Sequence, residues 1–418
     1  MVQDETHRKL DLCSAGMTWK SESGRVKLNG EQFHIKGANW FGFETESHVL
    51  HGLWGATTME RVLNFCQANK INALRVPVSL DLALNSKTVV ARGSCQECSA
   101  ELAWDMLDRL FVMAAARGIV IVLDMHRLDQ YNNSDLWYDG KHTQDQFIQG
   151  WGDLLTRFGD KANLMGIDLK NEPHGAATWG LGSATDWNAA AVYIVKKIKE
   201  RVPGYNKLIF VEGVGTDGAI AQYPPSDPAF DKFWGQNLDG VISHPIDFGT
   251  PELNSLLVYS PHVYGPSVAD QVYFKDATFP ANMPSIWDKQ VGFVEDATGK
   301  ALVTGAWGGS YAGQDKLWQD AWADYMIDRC IADNFVWALN PNSGSNGGLL
   351  EADWSTPVVT KLQLLAKIQP NPSVFTSAIS SSVVCVNYGA PANSKCALKG
   401  PGSPADSKPD AKPHDAPK

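Results

Sequence analysis

The sequence lacks both a hydrophobic run long enough to cross a membrane and an excess of basic residues. Its 418 residues include 36 basic and 46 acidic side chains, which gives a formal net charge of −10. Nucleic acids and anionic membranes attract basic surfaces, so neither is expected as a partner. A membrane protein is likewise excluded.

The cysteines lack the spacing of a metal site. There are seven, with no pair of Cys-x-x-Cys units and no Cys/His block, so no structural zinc is expected. An odd number leaves at least one thiol unpaired. Cys385 and Cys396 could form a disulfide that closes a small loop.

The overall composition is that of a globular protein with a large core. Hydrophobic residues make up 44% and charged residues 20% of the chain. Fifteen tryptophans are many for this length. Tryptophan offers a flat face that suits stacking on sugars or bases, although most tryptophans would serve the core.

Short apolar runs alternate with segments of helical periodicity along most of the chain. Eight runs predict strands: one near Ile35, then Ile71 to Val78, Gly118 to Met125, Leu164 to Leu169, Lys207 to Val211, Leu256 to Tyr259, Ala301 to Thr304 and Asn334 to Leu339. Helices are predicted at Thr58 to Asn69, Ala103 to Ala116, Thr143 to Phe158, Trp187 to Arg201 and Gln314 to Asp333. Eight strand-helix units favour an α/β protein of the (β/α)8 TIM-barrel class with one catalytic domain.

The flanking segments divide the chain further. Residues 1–24 are expected to form an N-terminal extension, ending just before a hairpin whose turn is Asn29-Gly30. The barrel is assigned to 25–368 and a C-terminal segment that wraps against it to 369–399. Residues 400–418 are rich in Pro, Ser, Asp and Lys and are expected to be a disordered tail or the start of a linker.

Polar residues end most of the predicted strands. In a (β/α)8 barrel the active site lies at these carboxyl ends. The residues found there are Asn39-Trp40, Arg75, Asp124-Met125-His126, Asn171-Glu172-Pro173-His174, His262-Val263-Tyr264, Ala306 and Trp337. Carboxylates, hydroxyl-binding groups and an aromatic floor in one barrel mouth are typical of a sugar hydrolase. Glu172 is the candidate general acid/base, and Asn171 is placed to hold a sugar 2-hydroxyl.

Several stretches resemble glycoside hydrolase family 5, the cellulase family, over roughly Val26 to Leu365. They are NWFGFETESHVLHGLW from Asn39, LRVPVS from Leu74, LDMHRLD from Leu123, LWYDG from Leu136, IDLKNEPHGAATWG from Ile167, SPHVYG from Ser260 and WALNPNSGSNGGLLEADW from Trp337. The resemblance implies an endo-β-1,4-glucanase with retaining stereochemistry and without a metal or organic cofactor.

The resemblance also implies residue roles. Glu172 would be the acid/base, Arg75 and Tyr264 would bind the nucleophile, and Trp337 would be the platform under the sugar. The candidate substrate-binding residues are Arg75, Trp40, His126, Asn171, His262, Tyr264 and Trp337; Trp40 could instead belong to the core. Asp168 and Glu212 are expected to be buried charges without a chemical role, and Glu44 is expected on the surface.

One position departs from the family pattern. The family nucleophile is a glutamate in a Gly-Glu-aromatic-Gly motif, where this sequence has Gly305-Ala306-Trp307-Gly308. A methyl group cannot attack an anomeric carbon, so the chain is expected to bind β-glucan but hardly cleave it. Without a neighbouring negative charge, Glu172 should have a lowered pKa. Ala306 is either an introduced substitution or the mark of a natural non-hydrolytic sugar-binding protein.

Some alternatives remain open at this point. The same fold could act on xylan, mannan, xyloglucan or β-1,3-glucan. The N-terminal MVQDETHRKL shows no signal peptide, so the protein is either intracellular or has lost a signal. A polymeric substrate favours secretion, and we expect a monomer.

Overall fold

The computed structural model describes residues 12–98, 100–215 and 233–398. The predicted tail and the first eleven residues of the N-terminal extension lie outside this part of the chain. Among the described helices, none has the length and apolar character needed to cross a membrane.

The chain begins with four short strands below the barrel. They are β1 (Leu12–Ser14), β2 (Trp19–Glu22), β3 (Arg25–Leu28) and β4 (Glu31–Gln32). Strands β2, β3 and β4 form an antiparallel sheet, and the predicted turn at Asn29-Gly30 joins the last two. Both turn residues have positive φ, 53° and 91°, as this hairpin type requires. Trp19 contacts Phe33 at 5.0 Å between ring centroids and helps to cover the bottom of the barrel.

A ring of parallel strands forms the centre of the protein. Its strands are β5 (Lys36–Asn39), β6 (Ala73–Ser79), β7 (Val120–Arg127), β8 (Leu164–Asp168), β9 (Leu208–Val211), β10 (Leu257–Tyr259), β11 (His262–Tyr264), β12 (Thr304–Gly308) and β13 (Asn334–Val336). Each pairs with its neighbours, and β13 returns to pair with β5. This confirms the predicted (β/α)8 barrel.

The sixth strand of the barrel is split into two pieces. Ser260 and Pro261 separate β10, which pairs with β9, from β11, which pairs with β12. The Tyr259 N–H donates to the Ala301 carbonyl at 3.0 Å and closes the ring on this side. The sequence predicted one strand from the apolar run Leu256 to Tyr259, with His262-Val263-Tyr264 at its end. Proline cannot donate a ladder hydrogen bond, so the break falls at Pro261.

Helices cover the outside of the ring. They are α1 (Met59–Ala68), α2 (Leu80–Leu84), α3 (Ala103–Ala115), α4 (Gln144–Phe158), α5 (Trp187–Arg201), α6 (Pro251–Asn254), α7 (Met283–Trp287), α8 (Val294–Thr298), α9 (Gly313–Asp328) and α10 (Val359–Ile368). Helix α4 begins with a capping box, in which Thr143 and Gln146 exchange backbone-to-side-chain hydrogen bonds. Helix α9 ends earlier than predicted, because Cys330 has a φ of 65°.

One disulfide joins the two end segments of the described chain to each other, and another joins the C-terminal segment to the region after α9. Strand β15 (Val384–Asn387) pairs with both β1 and β14 (Val374–Phe375). Cys385 is bonded to Cys13, Cys396 is bonded to Cys330, and a third disulfide joins Cys95 and Cys98. The predicted Cys385–Cys396 disulfide is therefore wrong, because strand pairing places Cys385 opposite Cys13. Cys66 is the free thiol and is buried on α1.

Candidate active site

A cleft of about 470 Å³ lies at the carboxyl ends of the strands. Its walls include His126, Glu172, Phe233, Trp234, Tyr264 and Trp337. Four of these were predicted from strand ends, and the barrel brings them together because parallel strands end at the same rim. Phe233 and Trp234 were missed, since they follow β9 in a stretch without strand or helix periodicity.

Glu172 lies in the turn after β8, and its backbone is held tightly. It has a φ of 49°, which is uncommon for a residue with a side chain. Its N–H donates to Glu212 Oε2 at 2.8 Å, and its carbonyl accepts a hydrogen bond from His174 Nδ1 at 2.6 Å. The side chain is 15% exposed and opens onto the cleft.

The surroundings of Glu172 favour its charged form. Burial alone would raise the pKa of its carboxyl group. The hydrogen bond with His262 and the charges of His262 and Arg75 outweigh burial and lower the pKa to about 2. Glu172 is therefore a carboxylate at neutral pH. The direction is the one that the sequence predicted, and its main cause is the contact with His262.

His262 lies between two glutamates and has no exposed surface. Its Nδ1 is 2.9 Å from Glu172 Oε1, and its Nε2 is 3.1 Å from Glu212 Oε1. Burial lowers the pKa of His262, but the charge of Glu212 and the hydrogen bond with Glu172 raise it to about 9. The sequence placed His262 in contact with substrate. The structure corrects this, because a fully buried ring that bridges two carboxylates has no face left for a sugar.

Arg75 organises the floor of the site. Its guanidinium bonds Asn39, Asn171, Asp168 and Glu212 at 2.9 to 3.1 Å and lies 3.1 Å from Asp124. Despite burial, these three carboxylates hold the pKa of Arg75 above its usual range.

Arg75 and Asn171 are both buried, at 1% and 0% exposure. The side-chain oxygen of Asn171 accepts from Arg75, and its amide nitrogen lies 3.4 Å from Glu172 Oε2. The predicted direct contact of Arg75 with substrate is therefore corrected to a supporting position beneath Asn171 and Glu212.

Ala306 lies on β12, opposite His262 in the strand register. It is buried. The neighbouring Gly305 is so close to β11 that a Cβ there would be 3.1 Å from His262 Nε2. Position 306 is thus on the strand beside the imidazole that contacts Glu172. Along β11, Tyr264 reaches the cleft, and burial raises its pKa well above the usual value.

Trp337 forms part of a stack of rings in the cleft wall. It is parallel to Phe41, at 5.4 Å and 7°, and to His126, at 5.4 Å and 13°. His126 bonds Asp124 through Nδ1 at 2.6 Å. Burial and the charge of Arg75 lower the pKa of His126, so its ring is neutral at pH 7.

Two further expectations are corrected. Trp40 is fully buried and donates its Nε1–H to the His51 carbonyl, so it belongs to the core and not to the cleft wall. Glu44 was expected on the surface but is 2% exposed and accepts from the Gly42 N–H at 2.7 Å. Burial raises its pKa to about 7.

Within the described part of the chain, Asp168, Glu212 and His262 are spaced closely enough to hold a metal ion. Both carboxylates already pair with Arg75, and His262 pairs with Glu172 and Glu212. The guanidinium supplies the positive charge that a metal would bring. We therefore assign these groups to the ion-pair network.

A barrel mouth that holds a carboxyl group beside stacked aromatic rings is typical of a glycoside hydrolase. The model of the family "Cellulase (glycosyl hydrolase family 5)" matches residues 26–343. The chain belongs to this family.

The relatives are endoglucanases. The major extracellular endoglucanase of Xanthomonas campestris pv. campestris is 38% identical over 348 residues, which are 81% of this chain and 68% of the relative. An endoglucanase of Paenibacillus polymyxa is 35% identical over 362 residues, covering 84% and 87% of the two chains. The chain is thus a glycoside hydrolase of the endo-1,4-β-glucanase type.

Solved structures show the same fold. The catalytic domain of the Xanthomonas enzyme has a TM-score of 0.76 and 35% identity and covers 84% of this chain and 99% of the other. An endocellulase from Pyrococcus horikoshii in complex with cellotetraose has a TM-score of 0.76 and 33% identity, covering 85% and 99%.

Proposed function

We propose that the chain binds β-1,4-glucan in this cleft and hardly hydrolyses it, because Ala306 stands at the position of the nucleophile. The observation that carries the proposal is the place of Ala306 on β12, opposite the imidazole that contacts Glu172. Retaining hydrolysis needs a second carboxyl group about 5 to 5.5 Å from the acid/base. Alanine offers none.

The ionised state of Glu172 supports the same proposal. A general acid must carry a proton to give to the leaving oxygen, and a pKa of about 2 leaves almost none at neutral pH. A glutamate at position 306 would add negative charge beside Glu172 and raise its pKa. The missing side chain therefore removes the nucleophile and lowers the fraction of Glu172 that carries a proton at neutral pH.

The cleft offers groups that suit a glucan. Trp337 and Trp234 present aromatic faces, His126 and Tyr264 present polar atoms, and Asn171 supports Glu172 from below. A cellotetraose complex of a structural relative and the names of the endoglucanase relatives favour β-glucan over xylan, mannan, xyloglucan or β-1,3-glucan.

We also propose that the protein is secreted and acts as a monomer. One relative is described as extracellular, and the disulfides Cys13–Cys385 and Cys330–Cys396 are typical of an oxidising compartment.

The test compares Ala306→Glu with the matched control Ala306→Gln, which fills the same space without a carboxylate. Reducing-sugar release from soluble cellulose derivatives should rise more than about 10³-fold in the glutamate variant only. If both variants stay inactive while cello-oligosaccharides still bind, the chain is a natural binding protein and position 306 is not a lost nucleophile site.

A further inference from the structure

Glu212 is a second glutamate of the site, and it has no role in the mechanism proposed for Glu172. It follows β9 and has no exposed surface. Its two oxygens serve different parts of the site. Oε2 accepts the Glu172 N–H at 2.8 Å, whereas Oε1 lies 3.1 Å from both Arg75 Nη2 and His262 Nε2.

The first contact acts on the backbone of Glu172. A positive φ at a residue with a side chain is strained, and it persists only where the surroundings fix it. The hydrogen bond to Glu212 fixes the N–H of that residue while His174 fixes its carbonyl. Glu212 therefore helps to hold the turn that directs the Glu172 side chain into the cleft.

The second contact acts on the carboxyl group of Glu172. His262 lies between Glu212 and Glu172, 3.1 Å and 2.9 Å from their carboxylate oxygens, so a negative charge on Glu212 favours the protonated ring that donates to Glu172. A protonated ring donates to Glu172 from Nδ1, and its Nε2 lies at ion-pair distance from Glu212. Glu212 therefore acts on Glu172 in two ways: it binds the Glu172 backbone N–H directly, and it affects the Glu172 carboxyl group through His262.

The space for Glu212 depends on a glycine. A Cβ at Gly235 would lie 2.1 Å from Glu212 Oε2, so no other residue could stand there without moving the carboxylate. The Gly235 carbonyl also accepts from the Gly213 N–H at 2.9 Å, which ties this segment to the end of β9. The glycine at position 235 thus leaves space that fits the Glu212 carboxylate closely.

We propose that Glu212 is a positioning residue for the acid/base, which holds the Glu172 backbone directly and the Glu172 carboxyl group through His262. The role deepens the proposed function, because it assumes that Glu172 is the acid/base. Glu212 need not touch the substrate.

Burial and the neighbouring charges act in opposite directions on the pKa of Glu212. Burial raises the pKa of Glu212 to about 8, against the lowering effect of His262 and Arg75. The other titratable groups around this network are Asp124 and His126 on β7, Asp168 on β8, Lys170 and Glu172 after β8, and Tyr264 on β11.

The test measures the pKa of His262 by histidine NMR in the present chain, where no catalysis is needed. Glu212→Gln keeps an oxygen for the Glu172 N–H but removes the charge beside His262. We expect the pKa of His262 to fall by about one unit or more. The matched control is Glu295→Gln, which removes a buried carboxylate paired with Arg25 at 2.6 Å, away from the site, and should leave the His262 pKa unchanged.

A kinetic measurement uses the Ala306→Glu background. Glu212→Gln should lower kcat more than about 10-fold with little change in KM, because a misplaced acid loses transition-state stabilisation. Glu212→Asp is the second variant if Glu212→Gln fails to fold. The aspartate keeps a negative charge near His262, so the His262 pKa should stay raised. Its shorter side chain cannot reach both the Glu172 N–H and His262, so kcat should still fall.

An unchanged His262 pKa in Glu212→Gln would overturn the proposal. So would an unchanged kcat in an active Ala306→Glu background. An inactive Ala306→Glu variant would instead count against the proposed function, and the NMR result would then decide the role of Glu212 alone.

Discussion

Glu172 shows how a single side chain depends on the residues beneath it. Its position after β8 was predictable from the Asn-Glu-Pro sequence, but its positive φ and its bonds to Glu212 and His262 were not. Those contacts join strands that are far apart in the sequence. Periodicity and motif spacing report on local structure and on strand ends, and they do not show which buried charges will meet.

The residues that were misassigned share one physical reason. Trp40 follows β5, Arg75 lies inside β6 and His262 begins β11, and each is less than 2% exposed. A strand end contains residues that point into the barrel, toward the cleft or toward the helices. The sequence identifies the rim but does not separate the layer that contacts a ligand from the layer that supports it.

Trp337 gives a prediction at the scale of one residue. If it is the sugar platform, Trp337→Ala should weaken cello-oligosaccharide binding by about 1 kcal/mol or more, which is at least roughly 5-fold. Calorimetric titration of the present chain measures this without interference from hydrolysis. The control is Tyr193→Ala, which removes an exposed aromatic ring on α5 and should not change binding. Equal affinity in both variants would count against the platform.

At the scale of secondary structure, the long amphipathic helices were predicted well, whereas α2, α6, α7, α8 and α10 were not predicted. The predicted Trp187 to Arg201 matches α5, and the Thr143 cap before α4 was included in the predicted segment. Amphipathic periodicity and capping residues act within one or two turns, so a sequence shows them directly. The split of the sixth strand was harder to predict, because it depends on which neighbour each half pairs with.

The junction between α2 and α4 contains a histidine that should make stability depend on pH. His142 is buried just before α4, with Nε2 3.0 Å from Asp81 on α2 and Nδ1 3.0 Å from Asp139. Burial opposes the charged form, but the bonds and charges of both aspartates raise the pKa of His142 above 6.5. Its stabilising contribution is therefore complete below about pH 6.5 and is lost as the pH rises through the raised pKa.

His142→Gln should remove this contribution. We expect the variant to lose on the order of 1 kcal/mol of unfolding free energy near pH 5.5 and less near pH 9, since Asp81 is half exposed and partly screened. Denaturant unfolding across this pH range measures the difference. His48→Gln is the control, because His48 contacts Gln130 and the Val89 carbonyl. A loss in His142→Gln that is the same at both pH values would contradict the expectation.

The whole molecule combines a predictable framework with connections that the sequence does not reveal. Eight alternating units indicated a closed barrel, because the layers of an α/β fold follow from the order of its elements. The disulfides did not follow in this way. Cys13 and Cys385 are 372 residues apart, and only the pairing of β1 with β15 brings them together. The number of cysteines predicted a free thiol, but it could not predict the partners of the rest.

The barrel also explains how the loss of a side chain at the end of one strand affects the rest of the site. Position 306 on β12, His262 on β11 and Glu172 after β8 belong to different strands of one ring, so a side chain missing from one strand changes the charge around another. On this account the chain keeps its glucan cleft and its acid/base residue while it lacks the group that forms the covalent bond.

A crystal structure of this chain with bound cellotetraose tests that account most directly. We predict a sugar ring over Trp337, with its glycosidic oxygen within hydrogen-bonding distance of Glu172 and the Ala306 methyl group facing the opposite side of the anomeric carbon. A ligand bound away from Glu172, or a methyl group that points away from the sugar, would contradict the account.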